Sequence, residues 1–491
     1  MLRPRPRVNY FVPSSTPAEG LGVMLLFRLI NESVPDFFRP DRRILIARAP
    51  GRLDVMGGFA DYSGSLVLQM PIAEAACAAV QKRDDDLLRV WSPSRDGSRT
   101  QLLSVRLGDL GLPDAPIDYA EARAFLTADP RDRWVGYLLG CLVVLARERG
   151  LRPDSGFDLL VSSDVPEGKG VSSSAAIEVA TMRALALLYG IPLEGRELAL
   201  LCQKVENEVV GAPCGVMDQM TAACGQADAL MVLRCQPCEL QGSLTVPPEL
   251  EIVGLDSGVR HAVSGSDYGA VRTGAFLGAR WLADLRGLPM RTEGVLRIAD
   301  DPLWKGYLAN CPADEFRSRY AAQLPDSIAG AAFLSRFGGH ADALSPVDPA
   351  RTYAVLAPTR HPIEENARVE RFRDLLTAPL SPASREELGA LMYASHASYS
   401  ACGLGNAVTD FLVDQVRARQ ALGAPIYGGK ITGGGSGGTV VMIGERVKVW
   451  HEALRIKKAL QQQTGHTGHV FRWSSPGAMA FGSIELSPVH G

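Results

Sequence analysis

Three glycine-rich runs, each set against an apolar segment, constrain this chain of 491 residues more than any other feature of it. They are GRLDVMGGFADYSG (51–64), VPEGKGVSSSAAIEVA (165–180) and GGGSGG (433–438). Glycine lets a backbone take positive φ or approach a neighbour without a Cβ, so each run marks a sharp bend or a place where the chain grips something. No internal repeat or low-complexity tract surrounds them, which makes them local devices and not linkers.

The segments between the runs set the fold class. RILIARAPGR (43–52) reads as a short strand entering a Pro-Gly turn, and SLVLQMPI (65–72) and AACAAVQKR (75–83) as two further strands. Helical periodicity covers 134–150 and 172–190, each closed by a glycine, and then 198–211. A strand-like DALMVLRCQ (228–236) follows, and the later helices fall near 268–286, 385–399, 407–421 and 447–464. Strand signals leading into helices predict an α+β protein. Single cores stop growing at about 250–300 residues, so more than one domain is expected. The proline pair in PPELEIVGLDSG (247–258) puts a junction at about residue 245. The expected division is an N-terminal extension over 1–40 with a helix near 21–34, a first domain over 41–245 and a second over 246–491.

Charge and cysteines narrow the partners. A net charge of -3 gives no electrostatic reason to expect nucleic acid or an anionic membrane. The longest apolar stretch, VGYLLGCLVVLA (135–146), falls short of the roughly 18 residues that span a bilayer, and VMLLF (23–27) is too short for a signal peptide. The expectation is a cytoplasmic protein. Its nine cysteines lack framework spacing and are expected to be reduced. Cys235 and Cys238 lack the second ligand pair a zinc site needs, so they are expected as small residues at a strand end.

The second run stands immediately before an amphipathic helix. A helix N-terminus exposes unpaired N–H groups and partial positive charge, and glycines let a phosphate come close: an anion cradle. A serine N-cap after a flexible turn is the other reading of the same residues. The chain has no GxxxxGK[ST], so a bound nucleotide would not sit in a P-loop. The third run matches GxGxxG through Gly433, Gly435 and Gly438, but TVVMIG (439–444) behind it is strand-like, so a glycine hairpin is expected and not a dinucleotide fold. In QKVENEVVGAPCGVMDQ (203–219), Glu206 lies on a helix, and Asp218 stands in a weakly charged stretch that calls for a buried partner, with Arg52 the candidate.

Taken in order, these motifs resemble the GHMP small-molecule kinases, galactokinase branch, from about residue 44 to the C-terminus. APGRLDVMGGFADYSGSLVLQMPI is similar to the sugar-binding signature, PEGKGVSSSAAIEVA to the ATP loop, CQKVENEVVGAPCGVMDQ to the metal-ligand and catalytic segment, and KITGGGSGGTVVM to the third motif. The resemblance implies the two-domain GHMP kinase fold, with a ribosomal-protein-S5-like N-terminal domain, a ferredoxin-like C-terminal domain and the site in the cleft between them. It implies ATP held by Gly168, Lys169, Gly170, Val171, Ser172, Ser173, Ser174, Gly434 and Gly435, and Mg²⁺ held by Ser174 and Glu206. It makes Asp218 and Arg52 catalytic. The sugar would then be lined by Arg52, Gly58, Asp61, Gly215, Asp218 and Tyr268. A monomer or homodimer acting on a small sugar is expected.

Galactokinases read Gly-Glu-His-Thr-Asp-Tyr where this chain reads Gly57-Gly58-Phe59-Ala60-Asp61-Tyr62. In that family the glutamate lies toward the sugar's C6 hydroxyl. L-Arabinose has galactose's ring stereochemistry without the hydroxymethyl, and a carboxylate left unpaired in a closed pocket costs about 1–3 kcal/mol. The Gly58-Phe59 form and YSACGLGNAVTDFLV (399–413) resemble the L-arabinokinase branch, whose plant members carry a long further N-terminal domain. The implied reaction is phosphorylation of the anomeric hydroxyl of L-arabinose. Galactose or N-acetylgalactosamine as substrate, and a catalytically silent sugar sensor, are the alternatives. On this reading Gly58→Glu shifts preference toward galactose. Asp54 and Ser436 also depart from the galactokinase pattern.

Overall fold

The strand Ile44–Met56 runs straight through the Pro-Gly pair that the sequence reads as a turn. Its register against the strand Leu66–Lys82 shifts between Pro50 and Arg52 and again between Asp54 and Met56, so bulges absorb the proline and the chain bends without stopping. Leu66–Lys82 likewise replaces the two strands expected over 65–83. Its Pro71 falls where the outer neighbour changes from Ala229–Arg234, which pairs with residues 66–69, to Phe157–Ser163, which pairs with 76–82. A residue without an N–H is tolerated at that gap.

The computed structural model describes residues 10–11, 21–94, 97, 99–260 and 265–488. A nine-stranded mixed sheet holds the first half, and one strand of it, Ile484–Pro488, comes back from the far end of the chain to pair with Ile44–Met56. Side chains alternate across the sheet. Leu45, Ala47, Ala49, Ala76, Ala78 and Val80 face the main core with the helices Gly136–Arg149, Ser173–Leu188 and Met217–Cys224. Ile44, Ile46, Cys77 and Ala79 face the other way and are covered by Val23, Leu26, Ile30, Phe37 and Phe38. The helix Leu21–Arg28 is therefore part of the folded body and not an appended segment; most of the first twenty residues lie outside those described.

Between Thr245 and Leu250 the chain changes sheets. The second sheet is antiparallel, with Leu250–Asp256 between Thr439–Glu445 and Val470–Phe471, and Ile426–Ile431 outermost. The helices Ala407–Ala421 and Lys448–Thr464 pack on it through Leu412, Val416, Val449 and Ile456. Ile426–Ile431 and Thr439–Glu445 form the expected hairpin around GGGSGG. A third cluster, built on Trp281, Trp304, Phe316, Phe333 and Tyr353, reaches Phe59 and Tyr62 of the first glycine run. The helix Leu356–Thr377, with Pro362 inside it, has no counterpart in the sequence reading.

Candidate active site

Gly168 and Gly170 both have positive φ, at 69° and 68°, and bring the second run to the N-terminus of Ser173–Leu188. Ser172 occupies the N-cap with φ 62°, yet its hydroxyl makes no capping bond and is buried without a partner. A serine serving only as a cap would spend its hydroxyl on the helix, so capping alone does not account for this loop, and its geometry fits the anion-cradle reading. The glycine hairpin closes against it. Thr439 Oγ1 donates to the Lys169 carbonyl at 2.9 Å, and a Cβ on Gly433 or Gly438 would press on the carbonyls of Gly170 or Lys169. Gly434 lies at the hairpin's partly exposed tip, whereas Gly435 is buried against Leu404.

The strand Ile44–Met56 meets the same loop. Arg52 N–H donates to the Val171 carbonyl at 3.0 Å, an approach that Gly51 permits because a Cβ there would lie 2.6 Å from that oxygen. The Arg52 side chain is 3 % exposed; Nη1 donates to the Gly170 carbonyl at 2.6 Å and Nε to Asp218 Oδ1 at 2.9 Å. The expected pair is present, and it ties the acid to the cradle. Asp218 lies in the first turn of the helix Met217–Cys224, and its carboxylate is 26 % exposed, open enough to meet a ligand.

Asp61 lies nearby and is buried, its Oδ1 accepting the Tyr62 N–H at 3.0 Å. Burial first, and the Asp218 charge second, push its pKa up to about 6 against the pull of Arg272, the Tyr62 N–H and Arg52. A Cβ on Gly215 would overlap the Asp61 carboxylate, which explains the glycine. Tyr268 packs edge-on to Tyr62 at 6.2 Å. Arg272, one turn along the helix Gly265–Leu285, sits over the Tyr62 ring at 5.2 Å and grips Asp342 with two bonds of 2.7 and 2.9 Å. The structure thus brings Arg52, Asp61, Gly215, Asp218 and Tyr268 together, and adds Arg272 from a stretch in which sequence reasoning singled out only the tyrosine.

Glu206 stands where the helix Gly195–Lys204 widens into a π turn, Val205–Val210. Ser174 hydrogen-bonds its carboxylate, Gln219 Nε2 donates to Oε2 at 2.7 Å, and burial, with the Asp218 charge, pushes its pKa up to about 7. Behind it lies Glu178, fully buried, with Oε1 unpartnered and a pKa raised well above the carboxylate range by burial and then by Glu206. A lone acid inside the apolar run AAIEVA was the available signal for it. Hydroxyl and carboxylate oxygens crowded with negative charge suit a hard divalent cation such as Mg²⁺. No three His, Cys, Asp or Glu among the described residues form a cage, so such an ion would take its remaining ligands from phosphates and water.

Gly58 has a different role from the one its sequence context implies. A Cβ at 58 would overlap the Tyr399 hydroxyl and the Asp54 carboxylate, so glycine is required by buried packing, not by an empty slot on a sugar pocket. Gly58→Glu is therefore not a clean specificity swap, because its side chain has nowhere to go. Asp54 gains a role as well: it pairs with Lys430 at 2.8 Å, both wholly buried, and accepts from Gln69 at 2.7 Å and Tyr399 at 3.3 Å. The one Tyr399 hydroxyl proton is shared between Asp54 and the hairpin, whose Gly433 carbonyl lies nearer at 2.8 Å. His361 contacts the Gly58 carbonyl at 3.0 Å and stacks on Phe59 at 3.7 Å. Ser436 takes φ 59° with its N–H on the Leu404 carbonyl at 2.7 Å. The described cysteines are free, Cys235 and Cys238 buried just past the strand Ala229–Arg234. Among the described residues no helix is long and apolar enough to cross a membrane.

Known proteins are similar to this chain over most of its length. The family described as GHMP kinases N terminal domain matches residues 136–226, and the Galactokinase galactose-binding signature matches residues 36–82. An L-arabinokinase of Arabidopsis thaliana is 42% identical over 91% of this chain, which spans 47% of that protein, about half its length. A galactokinase of Chloroflexus aggregans is 33% identical over 88% of this chain and 91% of its own. The crystal structure of Lactococcus lactis galactokinase complexed with galactose aligns over 92% of this chain and 99% of its own, with a TM-score of 0.70 at 19% identity.

Proposed function

The chain belongs to the galactokinase family of the GHMP kinases, and from that premise we propose that it transfers the γ-phosphoryl group of Mg·ATP to the anomeric hydroxyl of L-arabinose, giving L-arabinose 1-phosphate and ADP. The observation that carries the kinase reading is Arg52, bonded at once to Asp218 and to the Gly170 carbonyl of the cradle. Phosphoryl transfer depends mainly on positioning and on spreading charge, and this arrangement fixes the acid relative to the phosphates. In the proposed mechanism Gly168 to Ser174 bind the phosphates, with Gly434 and Gly435 of the hairpin opposite. Ser174 and Glu206 would hold Mg²⁺, which when bound neutralises phosphate charge. Asp218 orients the anomeric hydroxyl and takes its proton, Arg52 holds Asp218 in position beside the phosphate loop, and Asp61, Gly215 and Tyr268 line the sugar.

The pentose reading is supported by the likeness to an L-arabinokinase, 42% identical over 91% of this chain. The packing of Tyr399 and Asp54 against Gly58 leaves no room there for the glutamate of the galactokinase signature. In this reading residues 41–245 supply the cradle and the acid, and 246–491 the hairpin and Tyr268. Seven buried free cysteines fit a reducing compartment, the cytoplasm. The test is kcat/KM with Mg·ATP against L-arabinose, D-galactose and N-acetylgalactosamine. Preference for L-arabinose is expected; preference for galactose overturns the pentose reading, and no turnover with any sugar overturns the kinase reading.

A further inference from the structure

The helix Gly265–Leu285 carries Arg272 toward the sugar cluster, and about two turns further on it lines a second cavity with Phe276, Arg280, Arg286, Arg297, Trp304 and Tyr307 on its wall. The charges there do not balance. Arg286 is neutralised by Asp301 through bonds of 2.7 and 2.9 Å while stacking on Trp304 at 3.7 Å. Arg280 is different: its Nε and Nη1 are buried without a hydrogen-bond partner, and its ion-pair carboxylate, Asp284, stands 3.8 Å away. Arg336 shares that carboxylate, also at 3.8 Å. Among the described residues the Arg297 side chain donates only to the backbone carbonyls of Gly294 and Leu296, at 3.3 and 3.1 Å, and Glu293 near it is taken by Arg291 at 3.0 Å. Among the described residues no carboxylate accepts a hydrogen bond from Arg280 or Arg297. Burial, with the like charges of Arg297 and Arg336, holds the Arg280 pKa below its usual value despite Asp284.

Gathering cations around one half-exposed carboxylate costs free energy that a bound anion would return. We propose that this cavity binds a small organic oxyanion, a phosphate or carboxylate held by Arg280 and Arg297, whose flat body lies against Phe276, Trp304 and Tyr307. Guanidinium forks suit either headgroup, and the aromatic wall suits a planar body. The site is separate from the cradle of Gly168 to Ser174, and the inference stands independently of the kinase reading.

The experiment is isothermal titration of the full chain at low salt with phenyl phosphate, benzoate and, as a neutral control, benzyl alcohol. Saturable binding of at least one anion and none of the alcohol is expected, and the two anions tell which headgroup is preferred. Arg280→Met with Arg297→Met should weaken that binding at least tenfold, while Lys169→Met, in the other loop, leaves it unchanged. If the double variant does not fold, Arg297→Met alone, at a half-buried position, should weaken binding severalfold. Failure of both anions to bind, equal binding by the arginine variants, or loss in Lys169→Met overturns the proposal.

Discussion

Asp54 and Asp61 stand seven residues apart in one glycine run, both buried, and their surroundings are opposite. Asp54 has Lys430, Gln69 and Tyr399, and next to that set Glu365 is bonded by Arg368 at 2.7 Å, Ser395 at 2.7 Å and the Gly57 N–H at 3.1 Å. Burial alone would raise the Glu365 pKa, but Arg368, His361 and Lys430 outweigh it and hold it at about 2. Among the described residues Asp61 accepts one backbone N–H and faces the Asp218 charge, and Glu206 and Glu178, though both accept from Gln219, are likewise raised by burial and a neighbouring carboxylate. Each acid of the first cluster has a cation against it, although Gln69 Oε1 and Arg368 Nη2 lack partners; the acids of the second crowd one another, and a cation and sugar hydroxyls would relieve them. Paired buried charges hold a loop in place, and crowded like charges mark where binding happens.

If that contrast holds, the two clusters fail in different ways. Asp218→Asn should lower kcat by on the order of 10³-fold, with ATP and sugar still binding and the unfolding midpoint little changed. Kinetics beside urea unfolding checks it, and parallel loss of stability would break the comparison. Lys430→Met should do the reverse, destabilising by about 3–5 kcal/mol because Asp54 loses its buried cationic partner. Asp54→Leu added to Lys430→Met should restore most of that stability in the same urea measurement.

Gly58→Ala should cost about 3 kcal/mol by overlapping Tyr399 and Asp54, and less in a Tyr399→Phe background, a coupling that a double-mutant cycle reads directly. Asp61→Asn should stabilise the ligand-free protein at pH 7 by on the order of 2 kcal/mol while weakening sugar binding. The sign follows from a folded pKa of about 6, above that of an unfolded aspartate near ~3.9. The folded state holds the extra proton between those values, so wild-type stability carries a component that falls as pH rises from about 4 to 6. Thermal unfolding across that range should lack this component in Asp61→Asn.

Much of the site was legible because its parts are local. Glycines before a helix, a glycine run before β-branched residues, and an aspartate in an uncharged stretch each announce themselves within about ten residues, and the Arg52–Asp218 pair and the hairpin followed. What was missed depends on distance along the chain. Asp54 and Lys430 are 376 residues apart, and neither carries a local sign of the other. Gly58 illustrates the hazard: its neighbour Tyr399 is remote in sequence, and a packing requirement read as an empty pocket. The bulge at Pro50-Gly51 and the single strand through Pro71 show proline signalling a break where pairing on one side could accommodate it.

The most direct test is to identify the product. With Mg·ATP and L-arabinose, phosphorus NMR should show one sugar ester coupled to the anomeric proton, with ADP formed in equal amount and neither seen for Asp218→Asn. ADP without an ester, or an ester on another carbon, would contradict the assignment of Arg52, Asp61 and Asp218 to phosphoryl transfer at the anomeric oxygen.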